Sequence, residues 1–339
     1  MIWNKVDEIV SCGIEKAVYP GAVVVVGKDT EILYEKPYGF LAVDDNIPVT
    51  LETVYDIASM SKVVATTSAI MLLVSRGDLS LWDTLGDLLD VPESKKGISV
   101  FHLLTHTSGM QPYSEAWRDL KGRELLESII SLEPENGLME KINYSCLNFI
   151  TLMAVVEKTT SMSFAEFCSE EVFRPLGMNS SGFLPEELSN VAPTCERGGK
   201  VLKGLPDDEL AYYLGGVSGN AGVFSTGRDL FRFVSSLMCA GLVPSRVFET
   251  FVSETVCIGG DRRHLGWLAP SRGSSAGDIL GEDAFGHTGF TGTSLWVDPV
   301  TGLYVILLSN RTNISRRDTI PQMQRIRRRL HNLVFGSLG

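Results

Sequence analysis

Basic residues are scarce in this 339-residue chain: 30 Lys and Arg stand against 41 Asp and Glu, a net charge of −11. A phosphate backbone is bound by a concentrated basic surface, so the composition excludes nucleic acid as the expected partner. The six cysteines, at 12, 146, 168, 195, 239 and 257, form no C-x-x-C pair and follow no regular spacing. That excludes a disulfide scaffold or a zinc site with paired ligands, and it fits free thiols in a reducing compartment. No apolar run reaches the roughly 20 residues of a membrane span. The opening MIWNKVDEIVSCGIEKAV alternates charged and apolar residues at helical spacing, without the basic and apolar regions of a signal peptide. A cytoplasmic protein with no membrane partner is the expectation. No internal repeat, phosphate loop or dinucleotide fingerprint occurs, so no cofactor is expected.

What remains is globular: 44% of residues are hydrophobic and 21% charged, in a chain too long for the usual core of about 100–200 residues. Ile2, Val6, Ile9, Val10 and Ile14 mark an amphipathic helix, closed off by Pro20-Gly21. Ala22–Val26 is a continuous β-branched run that reads as a buried strand, and Ile32–Tyr34 begins its return after a turn. A short strand is expected near Val54–Ile57. A helix apolar nearly all round follows from Ser61 to Arg76, with Gly77 placed to terminate it. Helices are predicted over Val100–Leu104, Glu124–Ser131, Leu147–Lys158, Phe164–Val172 and Arg228–Cys239, and strands over Leu265–Leu268, Leu295–Val297 and Leu303–Leu308. Strands at both ends with helices between them predict an α+β fold. An antiparallel sheet flanked by helices (residues 1–78 and 211–339) would carry an inserted all-helical domain (79–210). In the C-terminal segment Ile320, Met323, Ile326, Leu330 and Leu333 recur at helical spacing, so Arg316, Arg317, Arg325, Arg327, Arg328 and Arg329 read as a solvated basic face.

Ser59-Met60-Ser61-Lys62 stands where a short strand meets the long apolar helix. The i, i+3 spacing puts Ser59 and Lys62 on one helical face, with Cβ atoms about 5–6 Å apart. A serine hydroxyl needs a neighbour to take its proton, and a helix N-terminus offers free N–H groups to a developing oxyanion. The motif alone is not diagnostic: with 32 Ser and 12 Lys, about one S-x-x-K is expected by chance. Two other patterns carry less. Gly273-Ser274-Ser275-Ala276-Gly277 spells a nucleophile elbow but has neither the strand before it nor the helix after it, so it reads as a surface loop. His102 and His106 have the i, i+4 spacing of zinc ligands without the accompanying Glu or a third ligand, so no metal is expected there. Gly215–Gly222 is Gly-rich and reads as a turn bordering a cleft.

The segments PGAVVVVGKDTEILYEKPYGF, YDIASMSK, HLLTHTSGM, YSCLNF and GHTGFTGT occur in this order. Together they resemble the beta-lactamase-like serine hydrolases, which include class C beta-lactamases, D-alanyl-D-alanine carboxypeptidases, D-aminopeptidases and family VIII carboxylesterases. The resemblance runs from about Val6 to Leu333 and implies the same sheet-plus-helical-domain architecture. It implies that Ser59 is the acylated nucleophile, Lys62 its partner and Tyr144 the tyrosine of a Y-x-N element. It also implies that His287-Thr288-Gly289 is the K-T-G element facing the cleft, and that the Ser59 and Phe290 N–H groups form the oxyanion hole.

Two departures stand out. Cys146 replaces the usual Asn, and His287 replaces the usual Lys, with a reference pKa of about 6.5 against about 10.4. Both favour neutral esters or small amides over substrates with a free carboxylate. The proton acceptor is either a Lys62 whose pKa burial has lowered, or a Tyr144 phenolate beside a charged Lys62. The expected activity is serine hydrolysis of a small-molecule ester or amide through an acyl-enzyme. D-alanyl carboxypeptidase or D-aminopeptidase action, weak beta-lactamase action and acyl transfer are the enzymatic alternatives, and a silent binding module is the rival from another class.

Overall fold

The computed structural model describes residues 2–43 and 45–339. Its central sheet is built from β1 (Gly21–Lys28), β2 (Glu31–Gly39) and three strands from the far end of the chain. In chain order the remaining strands that position the site are β3 (Tyr55–Asp56), β4 (Gly182–Phe183), β5 (Val223–Ser225), β6 (Phe285–Thr288), β7 (Ser294–Val297) and β8 (Leu303–Ser309). The five-stranded sheet runs β6-β7-β8-β1-β2, every neighbour antiparallel. N- and C-terminal segments are thus zipped together, with Ala22 opposite Ser309 and Lys28 opposite Leu303. A smaller sheet, β3-β5-β4, lies beneath the site.

The apolar run in β1 is continuous because both faces of the strand are covered. Val24 and Val26 meet Val6, Val305 and Leu330, on the side of helices α1 (Ile2–Glu15) and α6 (Ile320–Leu338). Val23 and Val25 point the other way, into a cluster shared with Ile306 and Leu308. That cluster continues through helices α2 (Ala58–Arg76), α3 (Val100–Leu104), α4 (Cys146–Thr160) and α5 (Gly227–Met238). Each of these valines is fully buried, which is worth about 1.5–3 kcal/mol apiece. The alternation fixes the register, since a slip of one residue would exchange the two faces. The architecture is α+β, as the separation of strands from helices along the chain predicts.

Three sequence expectations change. Leu265–Leu268 is a bend, not a strand: Gly266 takes φ +84°, and only Leu268 bridges, to Arg263 and Gly286. The run entering α2 has the length and apolar character of a membrane span, contrary to the estimate from sequence, yet 83% of it is buried inside the protein. It begins at Ala58, so Ser59 lies within the first turn instead of before it. Finally, Arg327 is not on a solvated face. It occupies the buried stripe of α6 with Met323, Ile326 and Leu330.

Candidate active site

Ser59 is presented by a turn held from three directions. Asp56 accepts the Ala58 N–H at 2.8 Å, which steadies Ala58 at φ +47°, a left-handed conformation that costs an L-residue about 1–2 kcal/mol. From β5, Val223 accepts the Ile57 N–H at 3.0 Å and donates its own N–H to Ser61 Oγ at 3.1 Å. From the segment after β6, the Thr291 and Thr293 hydroxyls donate to the carbonyls of Asp56 and Ile57 at 2.7 and 3.1 Å. Residues on both sides of Ser59 are therefore fixed by a hydrogen bond within the turn and by bonds to two other segments.

Past Ser59, α2 opens into a wide π turn over Lys62–Thr67. The carbonyls this strands are satisfied by hydroxyls: Thr67 donates to Lys62 O at 2.9 Å and Ser68 to Val63 O at 3.0 Å. Lys62 is completely buried. Its Nζ lies 3.1 Å from Ser59 Oγ and 2.9 Å from the Asn220 carbonyl, with Cys146 Sγ at 3.7 Å. Burial pulls the Lys62 pKa down, but the Cys146 thiol, the Tyr144 phenol and Asp208 together outweigh it, and the net shift is upward. An ammonium that already donates to Ser59 Oγ cannot also collect that hydroxyl's proton. That argues against Lys62 as the acceptor; Tyr144 Oη makes no hydrogen bond to Ser59 Oγ among the described residues.

Tyr144 comes from the helical side of the cleft and is clamped at its neighbours by one residue, His106. The His106 carbonyl accepts from Asn143 N at 2.8 Å, and its Nδ1 accepts from Ser145 N at 3.1 Å. Its ring lies 4.7 Å from the Tyr144 ring. His106 itself adopts φ +59°. His102, by contrast, accepts the Ser99 N–H at 3.0 Å as a helix cap. The two histidines thus serve separate structural purposes and do not form a ligand pair. Lys62 Nζ is 5.0 Å and the Arg263 guanidinium 5.3 Å from the centre of the Tyr144 ring, so negative charge developing on the phenol oxygen meets two cations. Ser59 and Tyr144 line both cavities that flank this point. The Phe290 N–H, set at the end of β6, has no backbone acceptor among the described residues. This set can accept a proton from a hydroxyl, stabilise an oxyanion and hold an acyl group.

The family model described as Beta-lactamase matches residues 6–326. The chain belongs to the beta-lactamase family. Among relatives, a protein of Escherichia coli O157:H7 with the provisional name D-alanyl-D-alanine carboxypeptidase is 26% identical over 361 residues, spanning 91% of this chain and 82% of that protein. Among solved structures, a class C beta-lactamase superposes with a TM-score of 0.81 at 21% identity, over 100% of this chain and 96% of the other. EstCE1, a hydrolase with promiscuous acyltransferase activity, gives 0.78 at 19% identity, over 97% and 98%. A serine hydrolase of the beta-lactamase family is what these matches show.

Within that family frame, the two departures acquire physical content. His287 is 2% exposed. Burial, then Lys62 and Arg263, push its pKa well below the usual value. Its Nδ1–H donates to the Thr288 carbonyl at 2.9 Å, leaving Nε2 buried without a partner among the described residues. It is a neutral imidazole. Burial likewise pushes the Cys146 thiol up, against the pull of Lys62. Thr288 and Gly289 follow on the same edge and line the cleft with Ser59.

Sequence reasoning missed four contributors. Asn220 falls inside the Gly215–Gly222 stretch that reads from sequence as a turn, yet its carbonyl orients Lys62, while its amide donates to Asp208 at 3.0 Å. Its one signal was the Gly-rich context. Arg263, Arg311 and Arg327 all line the Ser59 pocket. For Arg327 the signal was present: position 327 falls on the 323, 326, 330 stripe. Nothing in the local pattern marks Arg263, which reaches the cleft from the strand Asp261–Arg263.

Asp56 yields a pH-dependent expectation. It is 2% exposed and accepts two backbone N–H groups, from Ala58 and Asp207, each at 2.8 Å. Desolvation dominates all the same and lifts its pKa from 3.8 to about 7. The folded state therefore binds more protons than the unfolded chain between those values, and the Asp56 contribution to stability declines as pH rises across that window. Chemical denaturation at pH 5 and pH 8 should show a loss of roughly 1–4 kcal/mol attributable to this residue. In Asp56→Asn the trend should flatten. An unchanged trend would assign it to other groups.

Proposed function

We propose that the protein hydrolyses esters or amides through acyl-Ser59. The observation that carries this reading is the buried Lys62 amine at 3.1 Å from Ser59 Oγ, held by the Asn220 carbonyl at the head of α2. In the first half-reaction Ser59 Oγ bonds to the substrate carbonyl carbon as Tyr144 takes the hydroxyl proton. The carbonyl oxygen, now negative, sits between the N–H groups of Ser59 and Phe290. Collapse breaks the bond to the leaving alcohol or amine, which departs with the proton from Tyr144. In the second half, a water loses its proton to Tyr144, attacks the acyl carbon and frees Ser59, which recovers that proton.

A second reading concerns the leaving group. Reasoning from His287 and Cys146 points to a neutral one. Arg263, half-buried beside Tyr144 and lining the same pocket as Ser59, supplies the positive charge that His287 lacks. It favours a substrate with a carboxylate in its leaving group, in line with the name carried by the E. coli relative. Intact-mass analysis after fluorophosphonate treatment, with peptide mapping, tests the nucleophile. One adduct on Ser59 is expected, and none in Ser59→Ala protein. Persistence of the label in that variant would remove Ser59 from the role. Rates on an aryl acetate, a D-alanyl-D-alanine peptide and a cephalosporin then sort the substrate classes, the peptide being expected to lose most activity in Arg263→Gln.

A further inference from the structure

The cavity of about 330 Å3 beside Ser59 is lined by three arginines, Arg263, Arg311 and Arg327, and, among the described residues, by no Asp or Glu. Arg327 is 7% exposed. Its Nη2 donates to the carbonyls of Gly289 and Thr293 at 2.8 and 2.7 Å, while its Nε is buried without a partner among the described residues. Arg311 is 3% exposed. Its Nη1 donates to Ser315 O, Arg316 O and Thr319 Oγ1, each at 3.1 Å, and the guanidinium lies 4.4 Å from the centre of the Phe290 ring. The nearby carboxylates of Asp207 and Glu209 are engaged by Arg316, and Glu209 also by Arg197. Asp207 also acts on Arg311, without a hydrogen bond to it among the described residues, but a buried cation whose direct partners are carbonyls, a hydroxyl and an aromatic ring is costly until an anion joins it.

The three are not one cluster. Arg263 stands against Tyr144, whereas Arg311 and Arg327 stand at Phe290 and Gly289. Burial, and then the charge of Arg311, lowers Arg327 to about 9, and burial lowers Arg311 to about 10. Arg263 and Arg327, one from each group, both act on His287. A single carboxylate would neutralise one group only.

The geometry points to a leaving group with two anionic groups, one seated at Arg263 and the other at Arg311 and Arg327, as in a C-terminal dicarboxylic amino acid. The words "leaving group" rest on Ser59 being the nucleophile; the paired anion sites do not. The test is calorimetric titration of the full chain with N-acetylglutamate and N-acetylalanine, taking the better enantiomer of each. Protection of Ser59 from fluorophosphonate by the same compounds is measured in parallel. The glutamate derivative should bind at least about tenfold more tightly. Arg263→Gln and Arg311→Gln should each bring it to within about threefold of the alanine derivative. Equal binding of the two compounds by the unaltered chain overturns the proposal without any variant having to fold, and so does an advantage that survives both substitutions. A chain that discriminates between the two compounds but takes no label at Ser59 would overturn the nucleophile assignment and support the anion sites. Labelling at Ser59 without discrimination would do the reverse.

Discussion

Lys62→Met should slow fluorophosphonate labelling of Ser59 by about 10^3-fold or more while leaving the melting temperature within about 4 °C of the parent. The two halves of that result have separate causes. An ammonium with no exposure is expensive to bury, several kcal/mol even after relaxation. Methionine fills nearly the same volume without that cost. The substitution strands the Asn220 carbonyl, which accepts from Nζ at 2.9 Å, and an unmet buried acceptor costs about 1–3 kcal/mol. Gain and loss are comparable, so stability barely moves. Chemistry has no such offset. The cation next to Ser59 Oγ and the Tyr144 ring is lost, and with it the stabilisation of charge on the phenol during proton transfer. A parallel loss of folding would mean that Lys62 serves the core first. Labelling within tenfold of the parent would mean that Ser59 is activated without it.

The same residue shows where sequence is informative. Ser59 and Lys62 were legible because their spacing is local, and one turn of helix converts three residues into a shared face. The strands β1, β7 and β8 and helices α1, α3, α4 and α5 were legible because burial imposes a period on the chain. The sequence was silent where a function depends on meetings between distant segments. Arg263 approaches Tyr144 across 119 positions, and nothing local marks it as different from any other arginine on a hairpin. Its absence from the sequence reading had a chemical consequence. With His287 and Cys146 in place of the usual Lys and Asn, the pocket reads as poor in fixed positive charge for a carboxylate, whereas three arginines line it. Arg327 failed differently: a basic run invites the reading of a solvated face, although its position on the apolar stripe of α6 argued for burial. Leu265–Leu268 failed because four apolar residues look the same in a strand and in a buried bend. Gly266 at φ +84° was the discriminating residue.

Gly289→Ala should reduce kcat/KM by about 10^2-fold or more and destabilise the protein by about 1–3 kcal/mol. Gly289 does not lie in the left-handed region, so the argument is one of space alone. A Cβ there would come closer than 3.0 Å to both Thr293 Oγ1 and the Ile57 carbonyl oxygen. The threonine can rotate away, at the loss of its hydrogen bond to Ile57 O. The carbonyl cannot, because it belongs to the turn that delivers Ser59, two residues on. β6 must then back off from α2, and three things move with it: the Gly289 N–H bond to Thr293 O, the Arg327 bond to Gly289 O and the Phe290 N–H. An oxyanion donor displaced by even a few tenths of an ångström loses much of its value, because its worth lies in being already in place. Thr293→Ala in the Gly289→Ala background separates the two contacts. It removes the movable one and leaves the backbone contact, so activity should stay low. Recovery in the double variant would show that the hydroxyl alone was the obstacle and that the approach of β6 to the Ser59 turn is not what sets the oxyanion hole.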